Sequence, residues 1–451
     1  MRDCRRQLAR PICATLGSKT ISQLFTDDYK DSPYWWEDAP RPDSGIADFP
    51  EHVDVAIVGS GYTGLNAAIQ TTRAGRSTLV MDAQDAGWGC SSRNGGQVST
   101  SFKPSLEMLS KTYGPQKAFQ ILREGHNALN WIGAFIEQEK IDCELEKVGR
   151  FHGAHNSKQY DELARRCANQ PAGLKVDAHM VPRGEQATEI DTDVYHGGIV
   201  YSQHASLHPA KYHSDLLAIA KRAGAQIAPH TQVDNIERDG GGFVVHTARG
   251  KVRARDVAVA TSGYTGALTP WHQRRIIPIG SYIIATEAVD ESLIARLLPT
   301  NRVYSDTRKL VFYYRASPDR RRIIFGGRVC THETNPRVSA PLLHAELVRL
   351  LPAMSTARIS HSWMGFVGYT FDNMPHIGRH EGVYYSMGYC GSGISLASYF
   401  GMRLGQKILG AESGETGLDD TRFESRPYYF GKPWFLAPSI FYYRMRDRIN
   451  L

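Results

Sequence analysis

Short, continuous apolar runs and longer stretches with one apolar face follow each other along this chain, and their order predicts its elements. Val53-Asp54-Val55-Ala56-Ile57-Val58 is the compact apolar run of a strand buried on both faces. It ends in Gly59-Ser60-Gly61-Tyr62-Thr63-Gly64 and passes directly into Leu65-Asn66-Ala67-Ala68-Ile69-Gln70, a helix-like run. Ser77-Thr78-Leu79-Val80-Met81 reads as a second strand, closed by Asp82. Over residues 115–140, Phe119, Leu122, Leu129, Ile132 and Phe135 recur at helical spacing, which predicts an amphipathic helix with that stripe in the core. A strand is expected at Gly197–Tyr201. His208-Pro209 then opens a helix over Tyr212–Ala223, with proline near its first turn.

Strand-like runs return at 225–236, Phe243–Thr247 and Val252–Ala260, the last running into Thr261-Ser262-Gly263. Tyr282–Thr286, Leu310–Arg315 and Ile323–Phe325 fit a second, mostly antiparallel domain, with helices at Pro341–Leu351 and Ile394–Leu409. Residues 1 to about 28 read as irregular. Pro33, Pro40, Pro42 and Pro50 mark 29–50 as an extended arm whose Tyr34, Trp35 and Trp36 pack on the body. The aromatic and proline-rich end, 426–451, is expected to wrap back over the molecule. No internal repeat is present in the sequence. The expected organisation is an extension and arm (1–50), a dinucleotide-binding domain in three segments (51–110, 196–275, 356–415), a substrate domain in two (111–195, 276–355), and a C-terminal wrap (416–451).

Composition narrows the classes. A 451-residue chain with 41% apolar residues supports a large core. A formal charge of +7 without a long one-sign block does not mark a nucleic-acid binder, and weakly favours anionic or carboxylate-bearing substrates. Seven scattered cysteines without a CxxC pair read as a reduced, cytoplasmic complement. No run approaches the roughly 18 apolar residues of a membrane span. Arg2, Arg5, Arg6, Arg10 and Lys19 make the start basic, but it lacks the apolar segment of a secretory signal.

The chemistry begins at the glycine turn. Gly59 permits a tight turn, Gly61 a close backbone approach to a pyrophosphate, and Gly64 close helix–strand packing; Tyr62 and Thr63 start a helix whose N–H groups favour an anion. Asp82, with Ala83 beside it, stands where an acid meets the adenosine ribose hydroxyls. The loop Gly87-Trp88-Gly89-Cys90-Ser91-Ser92-Arg93-Asn94-Gly95-Gly96-Gln97 supplies hydroxyls, one arginine and small residues for a second phosphate and a flat ring. Such a loop suits a flavin held along its length better than a nicotinamide that comes and goes. His204, His208 and His213 are close in sequence, but Pro209 breaks a shared helical face and no Cys or carboxylate joins at ligand spacing, so no metal is expected. His208 is expected to cap its helix or support a neighbouring group.

The order of G-x-G-x-x-G, Asp82 and S-S-R-N-G-G-Q resembles the D-amino-acid-oxidase-type flavin amine oxidase family, in particular its gamma-glutamylputrescine oxidase-like branch. Ser32-Pro33-Tyr34-Trp35-Trp36, Ala260-Thr261-Ser262-Gly263-Tyr264, Thr370–Gly378 and Gly388–Ile394 strengthen the resemblance, which spans about residues 29–448. It implies an α/β fold: a Rossmann-like FAD domain of the glutathione-reductase type with a second, mostly antiparallel substrate sheet. It adds Val233, Thr261, Gly263, Gly391, Ser392, Gly393 and Ile394 to the FAD contacts, the last four at a helix start facing the electron-accepting end of the flavin. In the family's sarcosine-oxidase-like branch a linking cysteine falls a few residues before the T-x-D stretch, at 363–368 here, where this chain has none, so FAD is expected to be non-covalent. A lysine that the sarcosine-oxidase-like branch uses for oxygen is absent from 323–325, which leaves the acceptor open between oxygen and a quinone or carrier.

Tyr313, Tyr314 and Arg315 on one strand are the candidates for a substrate wall, Arg315 pairing a carboxylate, with Trp363 and Tyr389 as further wall candidates. The expected function is oxidation of a primary or secondary amine, such as gamma-glutamylputrescine or an N-substituted amino acid, to an imine, with oxygen going to hydrogen peroxide. The alternatives are a D-amino-acid-type dehydrogenase and a catalytically silent FAD binder. The expected partners are a small-molecule amine and an electron acceptor, with no nucleic acid and no membrane span.

Overall fold

The computed structural model describes residues 21–41, 45 and 48–448. Two sheets organise the chain. In the first, His52–Val58 lies between Thr78–Met81 and Gly250–Val259, parallel to both. Gln226–Ala228 extends one side and Val383–Met387 the other, again parallel. Strands covered on both faces explain the unbroken apolar runs: Val55, Ala56, Ile57, Leu79, Val80 and Met81 are all fully buried. The hairpin Val233–Asp239/Gly242–Thr247 continues the sheet antiparallel. The Tyr62–Arg73 helix crosses over this sheet and packs on the Gly393–Ile408 helix. Their approach is close because Gly401 and Gly405 face it; an added Cβ would come 2.5 Å from Thr63 O and 2.8 Å from Ala67 O.

The second sheet has nine strands, in the order Phe25–Lys30, Ile359–Tyr369, Ile277–Thr286, Ile323–Gly327, Tyr313–Ala316, Val303–Asp306, Arg150–Gly153, Gly198–Tyr201, Ala178–Val181. Only its first pair and the Val303–Asp306/Arg150–Gly153 pair are parallel. The fold is therefore the expected α/β dinucleotide unit joined to a mostly antiparallel sheet.

Several local expectations need correction. Residues 21–28 are ordered: a short 3₁₀ turn leads into Phe25–Lys30, which pairs with Ile359–Tyr369, a register no local signal reveals. Residues 1–20 lie outside those described. The strand Gly198–Tyr201, inside the segment 196–275 expected in the dinucleotide domain, pairs instead in the nine-stranded sheet. The predicted helix appears as Pro115–Glu139, but its innermost stripe is Ala118, Ile121, Gly125, Ala128 and Ile132, with Leu122 and Leu129 at the edge and Phe119 half-buried. Small residues lie innermost because the backbone comes close: a Cβ on Gly125 would meet Thr100 O at 2.4 Å. The helix expected from Pro341 begins earlier, at Pro336, capped by Asn335, and carries Pro341 within it.

The arm does pack on the body. Trp35 is fully buried, and its Nε1 donates to Asn94 O at 2.8 Å. The C-terminal segment also returns: Tyr429 Oη donates to Ile276 O at 2.6 Å, and the Leu436–Arg448 helix lies against the loop at 309–310.

Candidate functional site

The glycine turn is built as its spacing implies. Gly59 has φ of +104°, open to glycine, and an added Cβ would also stand 3.0 Å from Ala260 O. A Cβ on Gly64 would meet Gly59 O at 1.9 Å, so this glycine sets the helix against the strand. A Cβ on Gly61 would meet Ser91 Oγ at 2.9 Å. That hydroxyl accepts from Tyr62 N–H at 3.0 Å and closes the turn against the second loop. Asp82 is held by the same turn: one carboxylate oxygen accepts from Ser60 N–H at 2.9 Å and Ser60 Oγ at 2.6 Å, the other from Gln84 N–H at 3.1 Å. Ala83 is exposed next to it, and Thr231 N–H donates to Asp82 O just before Val233 enters its strand. His213 fixes the turn from below through Ser60 O at 2.8 Å; burial pushes its pKa down to about 4, so it is neutral.

The second loop is tied down throughout. Ser92 Oγ donates to Gly87 O at 2.6 Å. Asn94 Nδ2 donates to Cys90 O at 3.0 Å, and its Oδ1 accepts from Gly96 N–H at 2.9 Å. Gln97 Nε2 donates to Tyr304 O at 3.1 Å in the second sheet. Gly95 is needed because Tyr313 stacks on it, 3.0 Å from an added Cβ, and Gly96 because Leu207 O would be 2.3 Å away. Arg93 is only partly satisfied within the protein, its buried Nε having no partner among the described residues. Its guanidinium lies over Trp88 at 4.4 Å and Trp36 at 5.0 Å, and Nη1 donates to Met364 O at 3.0 Å. Arg41, from the arm, carries the other guanidinium here: it sits 4.8 Å over Trp36, with Asp82 in its field, and its Nε and Nη1 have no partner among the described residues.

At the far end, Thr261 and Gly263 turn the chain against Ile359–Tyr369; a Cβ on Gly263 would meet Phe366 O at 2.3 Å. Gly388, Cys390 and Gly391 all adopt positive φ and lead to Ser392 and the Gly393–Ile408 helix, whose start carries no side-chain cap. Nothing lies within 4 Å of a Cβ on Gly393, so this positively polarised end faces open space. Beyond Gly391, Tyr369 Oη is 3.7 Å from the Cβ position, and Lys103 Nζ is 5.8 Å from the Tyr369 ring centre.

Lys103, Arg150, His152, Tyr313 and Tyr369 share an unusual property. Each keeps water-accessible surface, yet each is enclosed by enough protein to shift its ionisation through lost solvation. Together with the open space at Gly393, we read this as side chains lining an interior hollow. Burial, with Arg150 adding to it, lowers the Lys103 pKa; burial pushes His152 down to about 3, with Arg150 and Lys103 assisting. Arg150 Nη1 donates to Ser101 Oγ at 3.3 Å, and its buried Nε has no partner among the described residues. No described carboxylate pairs with Lys103 or Arg150. A shallow recess lined by residues 113–117 and 120 lies at a helix junction and shares no residue with this strip.

We read the dinucleotide residues as one groove, running from Asp82 past two helix starts without side-chain caps to the hollow and its cations Lys103 and Arg150. The model of the family described as FAD dependent oxidoreductase matches residues 54–407, most of the chain and every segment of that groove. The chain belongs to the FAD dependent oxidoreductase family. It is 30% identical to the probable oxidoreductase OrdL of Rhizobium meliloti (strain 1021), over 92% of this chain and 97% of that protein. It is 28% identical to the gamma-glutamylputrescine oxidoreductase of Escherichia coli (strain K12), over 88% and 93%. Its fold is similar to that of glycine oxidase from Geobacillus kaustophilus, with a TM-score of 0.70 at 20% identity, over 84% of this chain and all of that one.

As a member of this family the protein is an oxidoreductase with FAD as cofactor. These residues fit that group: Asp82 would meet the adenosine end, Gly59–Gly64 and Ser91 the pyrophosphate, and Gly391–Ile394 the electron-accepting ring end. Of the five residues read as a substrate wall, Tyr313 is among those lining the hollow, and the other four make their contacts elsewhere. Strand alternation sends Tyr314 and Arg315 to opposite faces. Tyr314 stacks on Tyr304, 5.3 Å apart, and donates to Tyr195 Oη in the core. Arg315 is buried under Trp35, donating to Leu207 O and Ala316 O at 3.0 Å each; burial lowers its pKa to about 10. Trp363 Nε1 donates to Arg93 O at 2.7 Å and braces the second loop. Tyr389 Oη meets Thr63 Oγ1 at 2.7 Å and joins the two helix starts.

The hollow belongs instead to Lys103, Arg150, His152, Tyr313 and Tyr369. Tyr313 was read from the sequence as a wall candidate; Lys103, six residues after the glycine loop, and Tyr369, just before Thr370-Phe371-Asp372, were not, though their positions beside those motifs could have pointed to them. Arg150 and His152 had none. His208 caps its helix, its Nδ1 accepting from Lys211 N–H at 3.1 Å, and Cys390 is buried with its thiol raised to about 11.

Proposed function

We propose that this protein oxidises amines that also carry a carboxylate, of the gamma-glutamylputrescine or N-substituted amino acid kind, to the imine, with oxygen as acceptor. The observation that carries this is the cationic end of the hollow. Lys103 and Arg150 have no acidic partner among the described residues, and a buried guanidinium with an idle N–H calls for an anion. FAD, when bound, supplies the acceptance of a hydride from the carbon next to the amine nitrogen.

The chain's own residues do the rest. Lys103 and Arg150 hold the carboxylate, and Tyr369 and Tyr313 provide apolar ring faces. The same positive field disfavours a protonated substrate amine, so it favours the lone pair that oxidation needs. The uncapped helix start at Gly393 favours negative charge gathered at the ring end.

The test is anaerobic stopped-flow bleaching of the flavin by a carboxylated polyamine conjugate and by free putrescine. The conjugate should react faster, and Arg150→Met should weaken its binding by about 2–3 kcal/mol, a factor on the order of 30–150. Equal rates for both amines refute the carboxylate reading. Bleaching by D-amino acids alone, without reoxidation by oxygen, favours a dehydrogenase.

A further inference from the structure

The Leu436–Arg448 helix docks on the body by one face and turns an apolar face outward. Inward, Ile440 is buried, Arg444 donates to Val329 O, and the Asp447 carboxylate accepts from the N–H groups of Lys309 and Leu310. Positions 440, 444 and 447 follow helical steps of four and three. Outward, Pro438, Phe441 and Met445 repeat the same steps, and Trp434 lies just before the helix. Trp434 is 69% exposed, Phe441 62%, Tyr442 59% and Met445 48%. The stripe continues past the helix: Trp434 Nε1 donates to Tyr428 O, and Tyr428 is 83% exposed. Phe430, also exposed, lies under Arg274 at 4.7 Å. A contiguous aromatic surface of this kind marks an interaction site.

Its charge says what covers it. Residues 426–448 hold Arg426, Lys432, Arg444, Arg446 and Arg448 against the single acid Asp447. That acid is turned into the body by its hydrogen bonds, whereas Lys432 and Arg274 are exposed beside the aromatics. A second copy of the chain would bring these cations together. An anionic bilayer would meet them with opposite charge and receive Trp, Tyr and Phe at the depth where such rings settle. We propose that this face seats the protein on the surface of an anionic membrane. It is a peripheral contact: among the described residues, no helix is long and apolar enough to cross a bilayer.

The test is flotation of the full-length, FAD-loaded protein with phosphatidylcholine vesicles, with and without phosphatidylglycerol. The protein should float with the anionic vesicles at low salt and less so at high salt. Trp434→Ser with Phe441→Ser should reduce binding about tenfold or more, with FAD content and melting temperature unchanged. Arg274→Glu with Lys432→Glu should abolish the preference for anionic lipid. The proposal is overturned if wild type floats with neither vesicle, or if the aromatic variant binds as wild type does. It is also overturned if sedimentation shows a dimer that the aromatic variant dissolves, which assigns the face to a second copy.

Discussion

Replacing Asp82 tests the adenosine end of the groove and separates two roles that one carboxylate performs. It accepts from Ser60 N–H, Ser60 Oγ and Gln84 N–H, so it shapes the glycine turn before any ligand arrives. Ser60 is fully buried, and Asp82→Ala leaves its N–H without an acceptor, a cost of about 1–3 kcal/mol in the cofactor-free protein. If Asp82 holds the ribose as proposed, the same substitution also removes charge-assisted bonds to its hydroxyls, about 1.5–3 kcal/mol. Asp82→Asn keeps an oxygen for the Ser60 N–H and hydroxyl, so its stability loss should be the smaller, while its FAD affinity falls because the charge is gone.

The assay pairs thermal melting of FAD-stripped protein with fluorescence titration of FAD. The alanine variant should lose both stability and affinity, the latter by roughly 10- to 150-fold; the asparagine variant should lose mainly affinity. Wild-type FAD affinity in both variants would refute the assignment of this carboxylate to the cofactor. Equal melting losses in both would refute the turn-shaping role.

Gly64→Ala should cost at least about 1–3 kcal/mol and yield FAD-poor protein, because its methyl would sit 1.9 Å from the Gly59 carbonyl, with backbone on both sides. Gly393→Ala meets nothing within 4 Å and should melt like wild type, so any loss of FAD affinity there reports the ligand itself. Acid should destabilise the protein through its buried histidines. Burial pushes His213 down to about 4 and His272 to about 3. Above pH 6.5 both are neutral folded or unfolded and contribute no pH dependence. As pH falls below 6.5 the unfolded chain takes up protons that the folded one refuses, so each histidine costs about 1.4 kcal/mol per pH unit down to its folded pKa. Melting curves from pH 7 to 4.5 check this, and a flat melting temperature contradicts it. Acid or heat precipitation should release FAD into the supernatant, since no cysteine lies within 363–368; yellow colour retained by denatured protein on a gel would show a covalent bond.

The dinucleotide unit was legible in the sequence because it is local. One contiguous stretch, 53–82, holds strand, turn, helix, strand and acid, and each glycine's necessity is a matter of neighbours within a few residues or across one strand pair. Helix existence was legible too, through apolar periodicity, but not which residues go deepest: Gly125 and Ala128 lie innermost because another helix and a loop approach there, and periodicity does not see them.

The substrate end depended on tertiary structure throughout. Tyr313, Tyr314 and Arg315 looked like one wall because they are consecutive, yet the strand sends Tyr314 to the face opposite Tyr313 and Arg315, and Arg315 is taken up there by Trp35 and Leu207 O. Arg150 and Lys103 are brought together by a strand that pairs with Val303–Asp306 and Gly198–Tyr201, all far away in the chain. Phe25–Lys30 finds its place against Ile359–Tyr369 for the same reason. Backbone turns and caps are decided by short-range sterics, which a sequence carries. The convergence of charged side chains is decided by which strands become neighbours, and only the folded chain supplies that.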